Sequence, residues 1–424
     1  MTNVYPQDCL NHAEADIYGQ ENSTMTDMLI EDVRALDPGH GVVASSVLLR
    51  NGKLAALDPE HRSVKTADRV DGGGRLLTPG MIDVHTHGIC GQRYDCCESL
   101  EPGSLKVAQF GTTSVVTTLS GRLEPDLLAR LDRIADAAEK ASGAHMDMLH
   151  LEGPFLALPG AGGEGVAGDV HVLEEILAAC RGRTKAMSVS PDQQKIIPVI
   201  ETLVEHGVRP FITHTRADVE QTRRAIDAGA RHATHFYDVF YAPEETDLGV
   251  RPVGAVEAIL ADPRCTVDFI CDGVHVHPAA IACAVATKGY SGVAMITDSN
   301  SGAGRPPGIY NEGWRSRQIR VCEGGGCRIH APGKPLHGGL AGSSLTMDAG
   351  IRNLRRWLDL PDEQIWAMGT SVPAQVMGLE QKGVMKPGAD ADLVLWDDAD
   401  DGPRAVRTWV GGRTVYDASG HKDD

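Results

Sequence analysis

The chain has 424 residues, more than one ordinary hydrophobic core holds, with 42% hydrophobic and 23% charged residues, a normal globular balance. Its formal net charge of −18 argues against non-specific attachment to nucleic acid or to an anionic membrane surface. No apolar run approaches the roughly 18 residues that a membrane-spanning helix needs.

Residues 1–25 are polar and acidic (Asp8, Glu14, Asp16, Glu21) and hold no signal-peptide core, which predicts a disordered leader. The ten cysteines are scattered, with no CxxC pair, and read as reduced thiols of a cytoplasmic protein. The adjacent Cys96 and Cys97 read as ordinary thiols rather than as a metal site.

From Met28 onward short alternating runs predict strands, and Asn51-Gly52 between two of them is a hairpin signal. The C-terminal end has the same texture: Ala391–Trp396, Val406–Val410 and a Gly411-Gly412 turn into Arg413–Tyr416. The two ends are therefore expected to pair into one small β-sandwich, residues 26–77 and 384–424, with residues 78–383 inserted between them.

That middle alternates apolar strand-like runs with helical patterns. Strands are expected near 81–85, 112–119, 146–152, 186–190, 209–215, 231–236, 266–272 and 292–298. Eight such units have the size of a (β/α)8 barrel, and continuous apolar strands fit a parallel sheet buried on both faces. After the eighth strand, the Gly-rich stretch 301–342 reads as a lid, a hairpin or a dimer arm, and helices near 344–358 and 362–378 close the domain.

Five strand ends carry metal-type ligands or a lone acid: His85-Thr86-His87, Glu152 in His150–Pro154, His214, His235 and Asp298. Active sites of such barrels lie at the C-terminal strand ends. On a strand, positions i and i+2 share a face, so His85 and His87 can reach one ion. A carboxylate ending an apolar strand, as Glu152 does, is costly to bury unless it is paired or bound to a metal. Imidazoles with a carboxylate suit Zn²⁺, with Fe²⁺, Mn²⁺ or Co²⁺ as alternatives, as one ion or two. Asp298 is placed to carry a proton, and His275 to hold a substrate carbonyl, oriented by Asp272 with His277 behind it. The fourth strand, Ala186–Ser190, offers no lysine at its C-terminal end to bridge two ions, which leaves that role to Glu152.

These segments resemble the amidohydrolase superfamily and, within it, the N-acetylglucosamine-6-phosphate deacetylases. The resemblance runs from about residue 28 to 418. It rests on Thr78–Gly88, His150–Phe155, Thr213–Thr215, Ala233–His235, Asp272–His275, Thr297-Asp298, Leu340–Met347, Pro373-Ala374 and Lys386–Leu393. It implies a barrel with a split sandwich, a homodimer, and removal of acetate from an amino-sugar phosphate. It further implies Glu152, His214 and His235 on the main metal and His85 and His87 on a second ion. Asp298 becomes the base and acid, and His275 the contact to the acyl carbonyl. Ala341, Gly342 and Ser343 fall in the family's substrate-contacting Leu-Ala-Gly-Ser segment.

Three positions depart from the family pattern. Its asparagine three residues after the sixth-strand histidine is Asp238. Its Lys-Gly-Ala-His segment reads Gly162-Gly163-Glu164-Gly165. Its phosphate-binding arginine, which comes from the neighbouring subunit, has as nearest counterpart Arg251 in Gly249–Val253. Asp238 and Glu164 would oppose a phosphate dianion, so the expected ligand is an N-acylated amino sugar without phosphate, or a cationic N-acyl compound. A second reading is deamination or hydrolysis of a cyclic amide. A third, a catalytically inactive barrel serving assembly, is disfavoured because every ligand and the acid are present.

Overall fold

The computed structural model describes residues 27–420 except 61–63, 65–66, 160–164, 312–317, 324–325 and 400–401. The expected leader and Glu164 lie outside the described residues. Eight parallel strands form the barrel: β1 (Met81–Thr86), β2 (Thr112–Ser120), β3 (His145–Glu152), β4 (Thr184–Val189), β5 (Arg209–Ile212), β6 (His232–Ala233), β7 (Thr266–Ile270) and β8 (Val293–Ile296). They pair in chain order, and a helix follows each of them. Past β8 the backbone closes the ring, Asp298 N donating to the His85 carbonyl at 2.8 Å and His87 N to the Ser299 carbonyl at 2.7 Å.

Ile82, Val84, Val116, Met148, Phe211, Ile270 and Ile296 fill the barrel interior, and the helix Ser371–Met377 plugs its base with Ala374 and Met377. The larger core lies between the strands and the surrounding helices, as a sheet buried on both faces requires.

Strands β5, β6 and β8 end sooner than the apolar runs suggested. The cause is local: His214, His235 and Asp298 take left-handed backbone, φ 48°, 36° and 44°. Such conformations cost a non-glycine residue about 1–3 kcal/mol and cluster at functional sites. Each takes its residue out of the sheet ladder at the rim.

The termini build one hydrogen-bonded sheet of eight strands, including Met28–Asp37, Asp68–Pro79, Leu393–Ala399 and Gly402–Val410. Asn51 and Gly52, both at positive φ, turn the hairpin between Val47–Arg50 and Lys53–Leu57, and Gly411-Gly412 turns its C-terminal counterpart. The sheet curls over its own core of Ile30, Val47, Leu54, Leu393 and Trp409, and its two halves touch through the Lys53–Asp390 bridge. The 301–342 stretch forms a three-stranded antiparallel arm, Gly308–Asn311, Gln318–Val321 and Cys327–His330. No helix among the described residues is long and apolar enough to cross a membrane.

Candidate active site

Strand ends bring His85, His87, Glu152, His214, His235 and Asp298 to one point at the rim of the barrel. The Glu152 carboxylate, 6% exposed, stands among imidazoles. Its Oε1 lies 3.0 Å from His214 Nε2 and 3.5 Å from His235 Nε2, and its Oε2 lies 3.5 Å from His87 Nε2. Asp298 Oδ1 lies 3.3 Å from His87 Nε2 and 3.7 Å from His85 Nε2. Two ligand triads have donor atoms mutually within 4.8 Å: His85, Glu152 and His235, and His85, His87 and Asp298. His85 thus belongs to both triads, whereas the resemblance implied only a pairing with His87.

The electrostatics suit a cation. Burial drives the His85 imidazole well below its usual range, so the ring is neutral, and its buried Nε2 has no hydrogen-bond partner. Thr234 Oγ1 engages the other nitrogen at 2.9 Å and fixes the ring. Burial alone would raise the Glu152 pKa, but hydrogen bonds from His214 and His235 hold it well below the carboxylate range. Burial opposes protonation of His87 and His235 as well. The Asp298 hydrogen bond nevertheless lifts His87 to about 9, and the Glu152 hydrogen bond lifts His235 to about 10. A cluster whose carboxylates retain protons on neighbouring imidazoles is one in which a divalent ion competes with those protons. The donor set and the orphaned His85 Nε2 both fit a divalent metal.

Several buried groups hold these ligands. Asp268, fully buried, accepts from the His235 backbone N–H at 2.5 Å and contacts His232 Nε2 at 2.8 Å. His150 packs edge-on against the His85 ring, with its Nε2 2.9 Å from Ser188 Oγ. The Leu340–Ser343 segment supports Asp298 from behind, Ser343 N donating to the Asp298 carbonyl at 2.7 Å. His275 Nδ1 lies 2.7 Å from Asp272 Oδ2, and its side chain, 2% exposed, is not among those lining the cavity over the cluster. Burial would lower the His275 pKa, but the Asp272 hydrogen bond raises it overall. His277 instead caps the helix Pro278–Lys288, its ring accepting from Ala279 N.

A cavity of about 480 Å³ opens onto the cluster. Glu152, His87, His214, His235 and Asp298 line it together with Asp238, Ala341 and Gly342. Ser343 lies beneath, its hydroxyl donating to the Thr297 carbonyl. Arg251 stands apart on the surface, with its side chain 76% exposed and paired to Glu257 at 2.6 Å. Arg93, Arg122 and Arg130 also line the cavity, and sequence reading missed them. The position of Arg122, just past β2 at the ligand-bearing end of the barrel, was the available signal.

The chain matches the Amidohydrolase family over residues 76–415. It is 31% identical over 377 residues to an N-acetylglucosamine-6-phosphate deacetylase of Vibrio furnissii, covering 87% of this chain and 90% of that one. It is 30% identical to an N-acetylgalactosamine-6-phosphate deacetylase of Escherichia coli O157:H7, covering 86% and 93%. The structure of a point mutant of the Mycobacterium smegmatis N-acetyl-D-glucosamine-6-phosphate deacetylase, in complex with N-acetyl-D-glucosamine-6-phosphate, aligns with a TM-score of 0.77 at 25% identity, over 92% of this chain and all of that one. With its closed parallel barrel, its strand-end histidines and carboxylates, and these relatives, the chain belongs to the amidohydrolase family as a deacetylase-like, metal-dependent hydrolase of amide C–N bonds.

Proposed function

We propose that the enzyme removes the acyl group, acetyl in the first instance, from an N-acylated amino sugar that carries no 6-phosphate. The carrying observation is the Asp298 carboxylate in the cavity that Glu152 also lines, 3.3 Å from His87 Nε2. Glu152, His214 and His235 hold the principal ion in this reading, and His85 and His87 are the donors for a second. When bound, the ion polarises the amide carbonyl and acidifies a water, with zinc the ion these donors suit best and iron, manganese and cobalt the alternatives.

The remaining chemistry belongs to the chain's own side chains. Asp298 accepts the proton of the attacking water and passes it to the departing amine nitrogen. His275, its Nδ1 held by Asp272 and its pKa raised, keeps an Nε2 proton to donate to the acyl oxygen as negative charge develops there.

The pocket supports a substrate lacking the phosphate. Asp238 stands in its wall, where unit charges about 4 Å apart interact by roughly 1 to 4 kcal/mol, so a dianion there is opposed. The positive charge of Arg251 is already engaged by Glu257 of its own chain. Ala341 and Gly342 line the same cavity with no side chain larger than a methyl group, which leaves room for a sugar ring. A homodimer in the cytoplasm completes the proposal, and light scattering of the purified enzyme reads the former. The test is kcat/KM for acetate release from N-acetylglucosamine and from its 6-phosphate by the metal-loaded enzyme. The unphosphorylated sugar is expected to be the better substrate, and an equal or higher value for the phosphate overturns that part of the reading.

A further inference from the structure

The arm 301–342 brings aliphatic side chains to the cavity that holds the metal-type ligands. Ile329, Leu336 and Leu340 all line it. Backbone hydrogen bonds keep these residues together: Ile329 N donates to the Gly339 carbonyl at 2.9 Å, Gly338 N to the Ile329 carbonyl at 2.9 Å, and Gly339 N to the Leu336 carbonyl at 3.1 Å. Leu336 is 70% exposed and Leu340 37%. A lone exposed leucine is ordinary, whereas three aliphatic side chains from one element at a cavity mark a surface for an apolar ligand. Among the described residues that line the cavity none is Phe, Tyr or Trp, so the apolar contact on offer is aliphatic. The same segment runs on to Asp298. Asn300 Nδ2 donates to the Ala341 carbonyl at 2.5 Å, and a Cβ on Gly342 would lie 3.7 Å from Asp298 Oδ1. Leu340 is two residues from Gly342, at most about 7 Å between Cα atoms, which a short hydrocarbon chain spans.

We infer that Ile329, Leu336 and Leu340 form an acyl-chain subsite, so that the preferred group removed is a fatty acyl chain of medium length rather than acetyl. The inference rests on the deacylase reading above and names its acyl group. Water adds across the amide C–N bond, and the products are the free amine and a fatty carboxylate. The two halves of an N-acyl amino sugar differ in what they tolerate. Its sugar half carries hydroxyls, which lose hydrogen bonds to water when set against leucine and isoleucine. Its acyl half, beyond the carbonyl, is hydrocarbon and gains from the same contact in proportion to the apolar area covered. Leu336 and Leu340 offer such area, in water until a ligand covers it. An acyl carbonyl placed at the ligand cluster therefore has an aliphatic surface within reach of its chain.

The test is kcat/KM for amine release by metal-loaded wild-type enzyme from N-acetyl-, N-butanoyl-, N-hexanoyl- and N-octanoylglucosamine, and from the octyl glycoside of N-acetylglucosamine. The hexanoyl sugar is expected to exceed the acetyl sugar about tenfold or more, from roughly a twofold gain per added methylene that is covered on one side. The double variant Leu336→Asn, Leu340→Asn brings the hexanoyl-to-acetyl ratio to within about threefold of unity, while Leu336→Met keeps the wild-type preference. The ratio is read within one protein, so a general loss of activity in a variant cancels. A flat or falling profile in the wild type overturns the inference and leaves the deacylase reading standing. An octyl glycoside that gains as much as the hexanoyl sugar overturns it too, by placing the apolar group on the amine side; neither result needs a variant. A preference that survives the double variant also overturns it, and dissociation of that variant in light scattering then assigns the leucines to contact between copies of the chain. Amine release from none of the five removes the deacylase reading and the inference together.

Discussion

Glu152 shows how far one residue type in one place carries an argument. An acid closing Met148-Leu149-His150-Leu151 had to be paired or ligating, and the fold surrounds it with His87, His214 and His235. Glu152→Gln is expected to abolish metal retention and turnover together, read by metal content per chain after dialysis and by acetate release. Asp268 was not legible in the same way. Within Thr266–Ile270 it reads as an acid in a buried strand, and only the tertiary fold reveals that it holds the His235 backbone and His232. Asp268→Ala is expected to weaken metal affinity about 10- to 100-fold, the usual effect of losing a group that orients a ligand, as measured by competition with a chelator. The arginines of the cavity wall were missed for a related reason. Surface-type residues after β2 carry no periodic signal, and only the folded barrel brings Arg93, Arg122 and Arg130 to one cavity.

Strands and turns were more legible than their ends. Asn51-Gly52 and Gly411-Gly412 turn where the dipeptide chemistry said they would, because paired positive φ values match the twist of a hairpin. The barrel strands were found from apolar runs, yet β5, β6 and β8 stop early because His214, His235 and Asp298 leave the ladder. Hydrophobicity does not report such a departure. The Leu340–Ser343 segment has the same character: its sequence marks the family, and its structural work is to buttress Asp298. Gly342 has φ 63°, and a Cβ there would lie 2.7 Å from the Asp298 carbonyl oxygen. Gly342→Ala is therefore expected to displace Asp298 and lower kcat by about 10- to 100-fold while metal content stays at the wild-type level. Unchanged kcat in a folded variant would remove the buttressing role. The arm 301–342, expected as a lid or hairpin, is an antiparallel sheet whose Ile329 and the adjoining Leu336 and Leu340 reach the cavity.

The barrel and the terminal sheet are tied by packing and by one buried charge. Trp396 of the sheet lies against Gly111 of the barrel, where a Cβ would come within 2.1 Å of its ring. Asp392 accepts from Gly411 N at 2.7 Å, lies 3.3 Å from His145 Nε2 at the start of β3, and pairs with Lys382. Burial would raise the Asp392 pKa, but the His145 hydrogen bond and the Lys382 charge hold it at about 2, below its ordinary 3.8. A carboxylate depressed on folding stabilises the native state above its unfolded pKa and loses that contribution as pH falls through the folded one. Asp392→Asn is accordingly expected to cost at least about 2 kcal/mol near pH 7. The gap between the two proteins in denaturant unfolding should narrow as pH falls from 4 toward 2, and a gap independent of pH would contradict the assignment. That the two ends of the chain share a sheet was readable from their matching texture; the clasp at Asp392 was not, because His145 and Lys382 come from distant parts of the sequence.

The account turns on Asp298 as the proton carrier of a metal-dependent amide hydrolysis. Acetate release from N-acetylglucosamine by metal-loaded wild type and Asp298→Asn, with metal per chain determined on the same samples, tests this most directly. The account predicts a fall in kcat of about 10²- to 10⁴-fold at unchanged metal content. Turnover by the variant at the wild-type rate, with the metal in place, would contradict it.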